Sequence, residues 1–214
     1  MRIAIAGGSG QIAILLTRLL VDSGDEVLSL IRDPAKSDDV RDAGGEPVVC
    51  NLEDASESEV ADAVDGADAV VFAAGAGPGS GPDRKWTMDH GGAVKLIAAA
   101  QEKSIGRYVM VSSMNADPDA PGDDTFAVYL RAKGQADADL MDSGLDYTIV
   151  RPTSLTDEPG NGRVEVGDGL GRGEIPREDV AAVLAETLRS PNAARKLFDV
   201  RGGDTPIAEA IASL

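Results

Sequence analysis

The sequence predicts an α/β fold: a doubly wound, mostly parallel sheet with helices on both faces and a small C-terminal substrate region. Three observations carry this. Short apolar runs alternate with segments of helical periodicity along the whole 214 residues. The hydrophobic fraction of 43% includes only 3% aromatic residues, which suits Val/Ile/Ala strands covered on both faces. A glycine-rich turn joins the first strand to the first helix. The length fits one domain spanning 1–214.

Taken in order, Arg2 to Ala6 and Glu26 to Ile31 read as strands around a helix from Gln11 to Asp22, whose Ile12, Leu15, Leu16, Leu19 and Leu20 recur at helical spacing. Pro47 to Cys50, Ala67 to Ala73 and Arg107 to Ser112 are further strands, with helices Ser56 to Val64 and Thr87 to Glu102 between them. The second half continues with helix Thr125 to Met141, strand Asp146 to Val150, helix Arg177 to Leu188 and strand Lys196 to Val200, and closes on helix Ile207 to Leu214. Right-handed crossovers then give one parallel, doubly wound sheet. Three irregular stretches, Gly75 to Asp83, Met114 to Asp124 and Ser154 to Gly162, follow strands. The loops beyond strand C-termini form the ligand crevice of such a sheet, so they read as walls and lids of one site, or as mobile surface connections.

Composition excludes several functions. Twenty Lys and Arg against 37 Asp and Glu leave a charge of −17, which repels phosphate backbones and anionic membranes. No nucleic-acid or membrane partner is expected, and monomer and homodimer both stay open. The single cysteine, Cys50, forms no intrachain disulfide and no thiolate cluster, so a reduced, cytoplasmic setting and no metal are expected. The N-terminal run enters a strand directly, without a leader or anchor pattern.

Gly7-Gly8-Ser9-Gly10-Gln11-Ile12-Ala13 sits where a strand ends and a helix begins. Residues without a β-carbon let backbone approach a pyrophosphate, whose charge the helix start favours. The stretch parses as Gly8-x-Gly10-x-x-Ala13 or Gly7-x-x-Gly10-x-x-Ala13. Beyond the second strand, Arg32 takes the tip position, where a guanidinium can hold a 2′-phosphate. NADP(H) is therefore expected over NAD(H), although Arg32 can instead be a solvated strand end, with Asp33 in the ribose role. Asn51 and Leu52 end the third strand in a polar and an apolar residue suited to adenine, or to a helix-entry turn.

Ser112 and Ser113 put hydroxyls at the end of a buried strand, and Tyr129 and Lys133 stand four apart on a helix. That spacing places both on one face, where an ammonium beside a phenol eases proton exchange. Ser113 lies nearer the strand mouth and is preferred to Ser112 for holding a substrate oxygen. Side-chain alternation can reverse that choice.

With these residues the chain resembles the short-chain dehydrogenase/reductase (SDR) superfamily, in its small atypical NAD(P)-binding, Rossmann-like branch. Supporting runs are Gly7 to Gly10, Ala73-Ala74-Gly75, Val111-Ser112-Ser113, Tyr129 to Lys133, Gly144 to Pro152 and Leu155 to Gly160. The resemblance implies that Gly7, Ser9, Gly10, Gln11 and Ile12 surround the pyrophosphate, Arg32 meets the 2′-phosphate, and Asn51, in place of the usual Asp, flanks adenine with Leu52. It implies that Ala73, Ala74 and Gly75 line the ribose, Lys133 bonds the nicotinamide ribose, and Pro152, Thr153, Ser154 and Leu155 meet the nicotinamide end.

The catalytic set expected is Ser113, Tyr129 and Lys133, in an oxidoreductase moving hydride to or from an unidentified small carbonyl or related acceptor. A non-enzymatic NADP(H)-binding sensor is the alternative. A nucleotide-sugar epimerase or dehydratase fits less well, because the chain beyond Arg151 is short. His90 reads as a surface or capping residue, Trp86 as packed or interfacial. The acids Asp117, Asp119, Asp123 and Asp124 read as a solvated face.

Overall fold

A computed structural model describes residues 1–77 and 79–214. Pro78, in the first expected loop, lies outside them. In chain order the strands are β1 Arg2–Ala6, β2 Glu26–Ile31, β3 Glu46–Val49, β4 Ala69–Phe72, β5 Arg107–Val111, β6 Asp146–Pro152, β7 Ser154–Thr156, β8 Arg163–Gly167, β9 Glu174–Pro176, β10 Lys196–Gly202 and β11 Thr205–Pro206. The helices are α1 Gln11–Asp22, α2 Ser37–Asp42, α3 Glu57–Ala63, α4 Pro82–Arg84, α5 Gly91–Glu102, α6 Thr125–Asp142, α7 Arg177–Arg189 and α8 Ile207–Ala212.

Among the described residues the main sheet has nine strands, in the order β11-β8-β10-β6-β5-β4-β1-β2-β3. From β3 through β10 all neighbours are parallel, and the order reverses beside β1, between β2 and β4. That reversal is the point where a doubly wound sheet opens a crevice beyond its strand ends. Alternating side chains build the two covered faces. Ala4, Ala6, Val70, Phe72 and Met110 face helices α3, α5 and α6, while Ile3, Ile5, Val71 and Val109 face α1, α7 and α8.

The sheet is mostly parallel, as expected, with β8 antiparallel to β10 and β11 antiparallel to β8 at one edge. Two expectations need correction. The stretch Ser154 to Gly162, expected as loop, begins with β7, which pairs with β9 in a separate two-stranded sheet. β7, β9 and β11 are too short, at two or three residues, to show a period of two, whereas β8 does alternate, with Val164 buried between exposed Arg163 and Glu165. Helix Thr87 to Glu102 likewise divides. Chain from Pro82 forms α4, then a wider turn of π spacing over Lys85–His90, and only then α5.

Helix ends explain where the backbone is left open. Ser56 and Glu59 close a capping box on α3, and Asp124 caps α6 through Ala127 N–H. At α1 the capping position is Gly10, no side chain caps it, and its first turn carries no acid. The amides there are the orphan donors of a helix start, turned toward the crevice.

Candidate functional site

The crevice begins at the glycine turn. Gly7 has φ +78°, and a β-carbon on it would come within 2.6 Å of the Ala74 backbone. A β-carbon on Gly8 would stand 2.5 Å from that of Ser29. Gly7 therefore supplies the turn, Gly8 the seating on β2, and Gly10 the helix start. The frame is Gly7-x-x-Gly10-x-x-Ala13, with Ala13 fully buried against the sheet. Gly7, Ser9, Gly10 and Ala73 to Gly75 line a hollow of about 490 Å³ that Arg32, Asp33, Lys36 and Arg84 also line.

Arg32 is 55% exposed and lies 3.8 Å from Glu53, just beyond β3. Glu53 is more tightly held by Arg84, at 2.8 Å, and by the Thr87 hydroxyl. The hydrogen bond from Arg84 keeps the Glu53 carboxyl below its ordinary range. Asp33 accepts from Ala35 N–H and so caps the turn after β2.

Ala73, Ala74 and Gly75 also line a second, larger cavity of about 830 Å³. The two hollows thus share the chain at the end of β4 as a common wall. Ser113, Tyr129 and Lys133 all face this cavity, as do Ile12, Pro152, Thr153 and Leu155. Lys133 is buried, donates to Val111 C=O at 3.1 Å and stands 3.5 Å from the Asp89 carboxylate. Tyr129 stacks on Phe126 with ring centres 6.0 Å apart.

The two serines are separated by their partners. Ser112 is buried and donates to Asp137 at 2.9 Å, and Arg151 bonds the same carboxylate oxygen through Nε at 2.8 Å. Burial pushes the Asp137 carboxyl above its ordinary range, against the pull of Arg151 and Ser112. Ser113 is half-buried and its hydroxyl reaches only the adjacent Met114 carbonyl, at 3.2 Å. Ser113 is the hydroxyl free to turn into the cavity.

These surroundings fit a nicotinamide dinucleotide. A β-carbon-free cradle and an uncapped helix start suit its pyrophosphate. At the other end the buried Thr153 Oγ1 has no hydrogen-bond partner among the described residues, as a hydroxyl reserved for a ligand amide would. Residues 7–191 match a family model described as NAD(P)H-binding. The chain belongs to this NAD(P)H-binding family. A Bacillus subtilis relative named "Uncharacterized sugar epimerase YhfK" is 39% identical over 215 residues, covering 100% of both chains. A solved structure from Bacillus halodurans, described as "Putative NAD-dependent epimerase/dehydratase", is 39% identical with TM-score 0.93 and covers 100% of both chains. The oxidoreductase ylbE from Lactococcus lactis is 27% identical with TM-score 0.86, covering 100% of this chain and 96% of that one.

In this NAD(P)H-binding chain some expected residues stand apart from the crevice. Gln11 lines a different hollow, with Arg18, Asp157 and Arg177, which Ser9 also touches. Asn51 donates to Asp54 and accepts from Glu53 N–H, closing a turn beside a shallow depression of its own. Leu52 is buried in the core under Gly92. Ser154 is taken up by β7, its N–H bonded to Gly173.

The sequence reading passed over Lys85 and Asp89. Both lie on the π-spaced turn and both line the cavity. Such widened turns recur at functional sites. Asp89 is buried, accepts from Ala76 N–H at 3.2 Å, and ties Lys133 to the β4 end. The missed signal was two ionisable residues at i, i+4 directly before an apolar helix. His90 bonds Asp139 at 2.7 Å, and Trp86 is 41% exposed with its ring edge on His90. The Met114 to Asp124 stretch is docked: Asp117 N–H bonds Leu130, and Arg131 holds the Ala120 and Gly122 carbonyls. Among the described residues no group of three or more His, Cys, Asp or Glu is placed to hold a metal. None of the described helices is long and apolar enough to cross a membrane.

Proposed function

We propose that the chain is an NADP(H)-dependent oxidoreductase acting on a small carbonyl or related acceptor, with Ser113, Tyr129 and Lys133 as its catalytic residues. The observation that carries this reading is their convergence on one cavity that shares Ala73 to Gly75 with the glycine-turn hollow. A bound reduced nicotinamide supplies the hydride. Tyr129 gives its hydroxyl proton to the acceptor oxygen, turning carbonyl to alcohol, while Ser113 donates a hydrogen bond to that oxygen. Lys133 uses one donor on Val111 C=O and is oriented by Asp89, leaving a donor for a ribose hydroxyl. Thr153 Oγ1 is the group offered to the carboxamide. The epimerase name of the Bacillus subtilis relative fits less well, since Phe126 and Leu155 at this rim give a sugar few hydrogen bonds. The buried lone Cys50 is in keeping with a reduced, cytoplasmic setting.

NADP(H) preference is supported by the three cations, Arg32, Lys36 and Arg84, against one acid, Asp33, in the lining of the phosphate hollow. Parallel equilibrium titrations with NADPH and NADH at fixed salt test it. NADPH should bind more tightly, and Arg32→Ala should weaken NADPH about tenfold while leaving NADH nearly unchanged, a figure discounted for solvent exposure. Glu53→Gln should act in the opposite direction. It frees Arg32 and Arg84 from a competing carboxylate and should tighten NADPH by about threefold. Equal affinity for both cofactors would return Arg32 to a surface role.

A further inference from the structure

Lys85 is the charged side chain at this site that hydride transfer leaves unemployed. It is 9% exposed, its ammonium donates to Gly77 C=O at 3.0 Å, and it stands 5.5 Å from the centre of the Tyr129 ring. Among the described residues no carboxylate lies within 4.0 Å of it, whereas Lys133 has Asp89. An ammonium carries three donors, and withdrawing it from water with one carbonyl and a ring face leaves a cation that a ligand anion would complete.

The phosphates of a dinucleotide belong to the glycine turn, in the other hollow, whose lining does not include Lys85. The cavity that Lys85 lines is lined also by Phe126, 65% exposed, and Leu155, 37% exposed. Phe126 offers a flat face, one of only three phenylalanines in the chain, on the solvent side of the catalytic tyrosine. A chain of net charge −17 repels anions at long range, so an anionic ligand needs a local cation shielded from that field.

We propose that the cavity takes a carboxylate-bearing ligand with a flat apolar body, its carboxylate paired to Lys85 and its body against Phe126 and Leu155. As a statement about the acceptor this rests on the oxidoreductase reading; as a statement about binding it stands alone. The probe is 2-naphthoate against its neutral counterpart 2-naphthamide, titrated calorimetrically into the full chain with and without NADPH. Naphthoate should bind about tenfold or more tightly than the amide. Lys85→Met should erase that difference, Lys85→Arg should keep most of it, and Phe126→Ala, at an exposed position, should weaken both compounds alike.

Equal affinity for the two compounds, a preference that survives Lys85→Met, or no binding of either overturns the proposal. If Lys85→Met does not fold, the comparison rests on Lys85→Gln and Lys85→Arg. Turnover is read separately, with NADPH and 6-formyl-2-naphthoate or its methyl ester. Lys85-dependent naphthoate binding without reduction of either aldehyde sustains the site and sinks the oxidoreductase reading. Reduction of both at equal kcat/KM, with no naphthoate preference, does the reverse.

Discussion

Tyr129→Phe is expected to reduce an NADPH-dependent carbonyl acceptor about a hundredfold or more slowly than the native chain, with NADPH affinity unchanged. The substitution removes one oxygen and keeps the ring, so the stacking on Phe126 and the contact with Lys85 persist. Tyr129 does not line the phosphate hollow. Loss confined to kcat would therefore report the proton and no other function. Lys133→Met should behave differently. It strips a buried Asp89 of its cation, leaving an unpaired carboxylate that costs about 3 kcal/mol or more of stability, and should lower cofactor affinity together with turnover. Steady-state kinetics with fluorescence titration of NADPH separate the two patterns. Undiminished turnover in Tyr129→Phe would remove the tyrosine from the reaction.

How much of this was legible in the sequence depends on the range of the interaction. The glycine turn is local: a strand, three glycines and the start of a helix within the first thirteen residues carry their own reason, and the structure adds only that Gly7 makes the turn while Gly8 packs on Ser29. The parallel strands were legible because burial on both faces makes them continuous apolar runs. Lys133 facing the cavity followed from its spacing to Tyr129, but its pairing with Asp89 did not, because 44 residues separate them and a π-spaced turn aims the acid. Glu53 and Arg84, 31 apart, were equally silent. Asn51 carries two readings for a physical reason. An amide at a strand end serves a ligand or its own turn equally well, and here it serves the turn.

Gly134→Ala should destabilise the protein although it sits inside α6, where alanine is favoured over glycine by about 1 kcal/mol. The two effects have opposite signs, so the experiment decides between them. A β-carbon at 134 would collide with the backbone of Asp117 and Pro118, which lies directly on the helix. Backbone gives way less readily than a flexible side chain, and overpacking of this kind costs about 3 kcal/mol. The net loss is then about 2 kcal/mol, a fall of roughly 4–8 °C in Tm for a chain of this size. The consequence reaches the site. The Met114 to Asp124 segment starts immediately after Ser113 and is pinned to α6 by Asp117, Ala120 and Gly122, so lifting it loosens the serine against the tyrosine one to two helical turns away. Thermal unfolding, with limited proteolysis between 114 and 124, reads both effects. A variant as stable as the native chain, or more so, would mean that the segment does not rest on α6 and that Ser113 is not held by this contact.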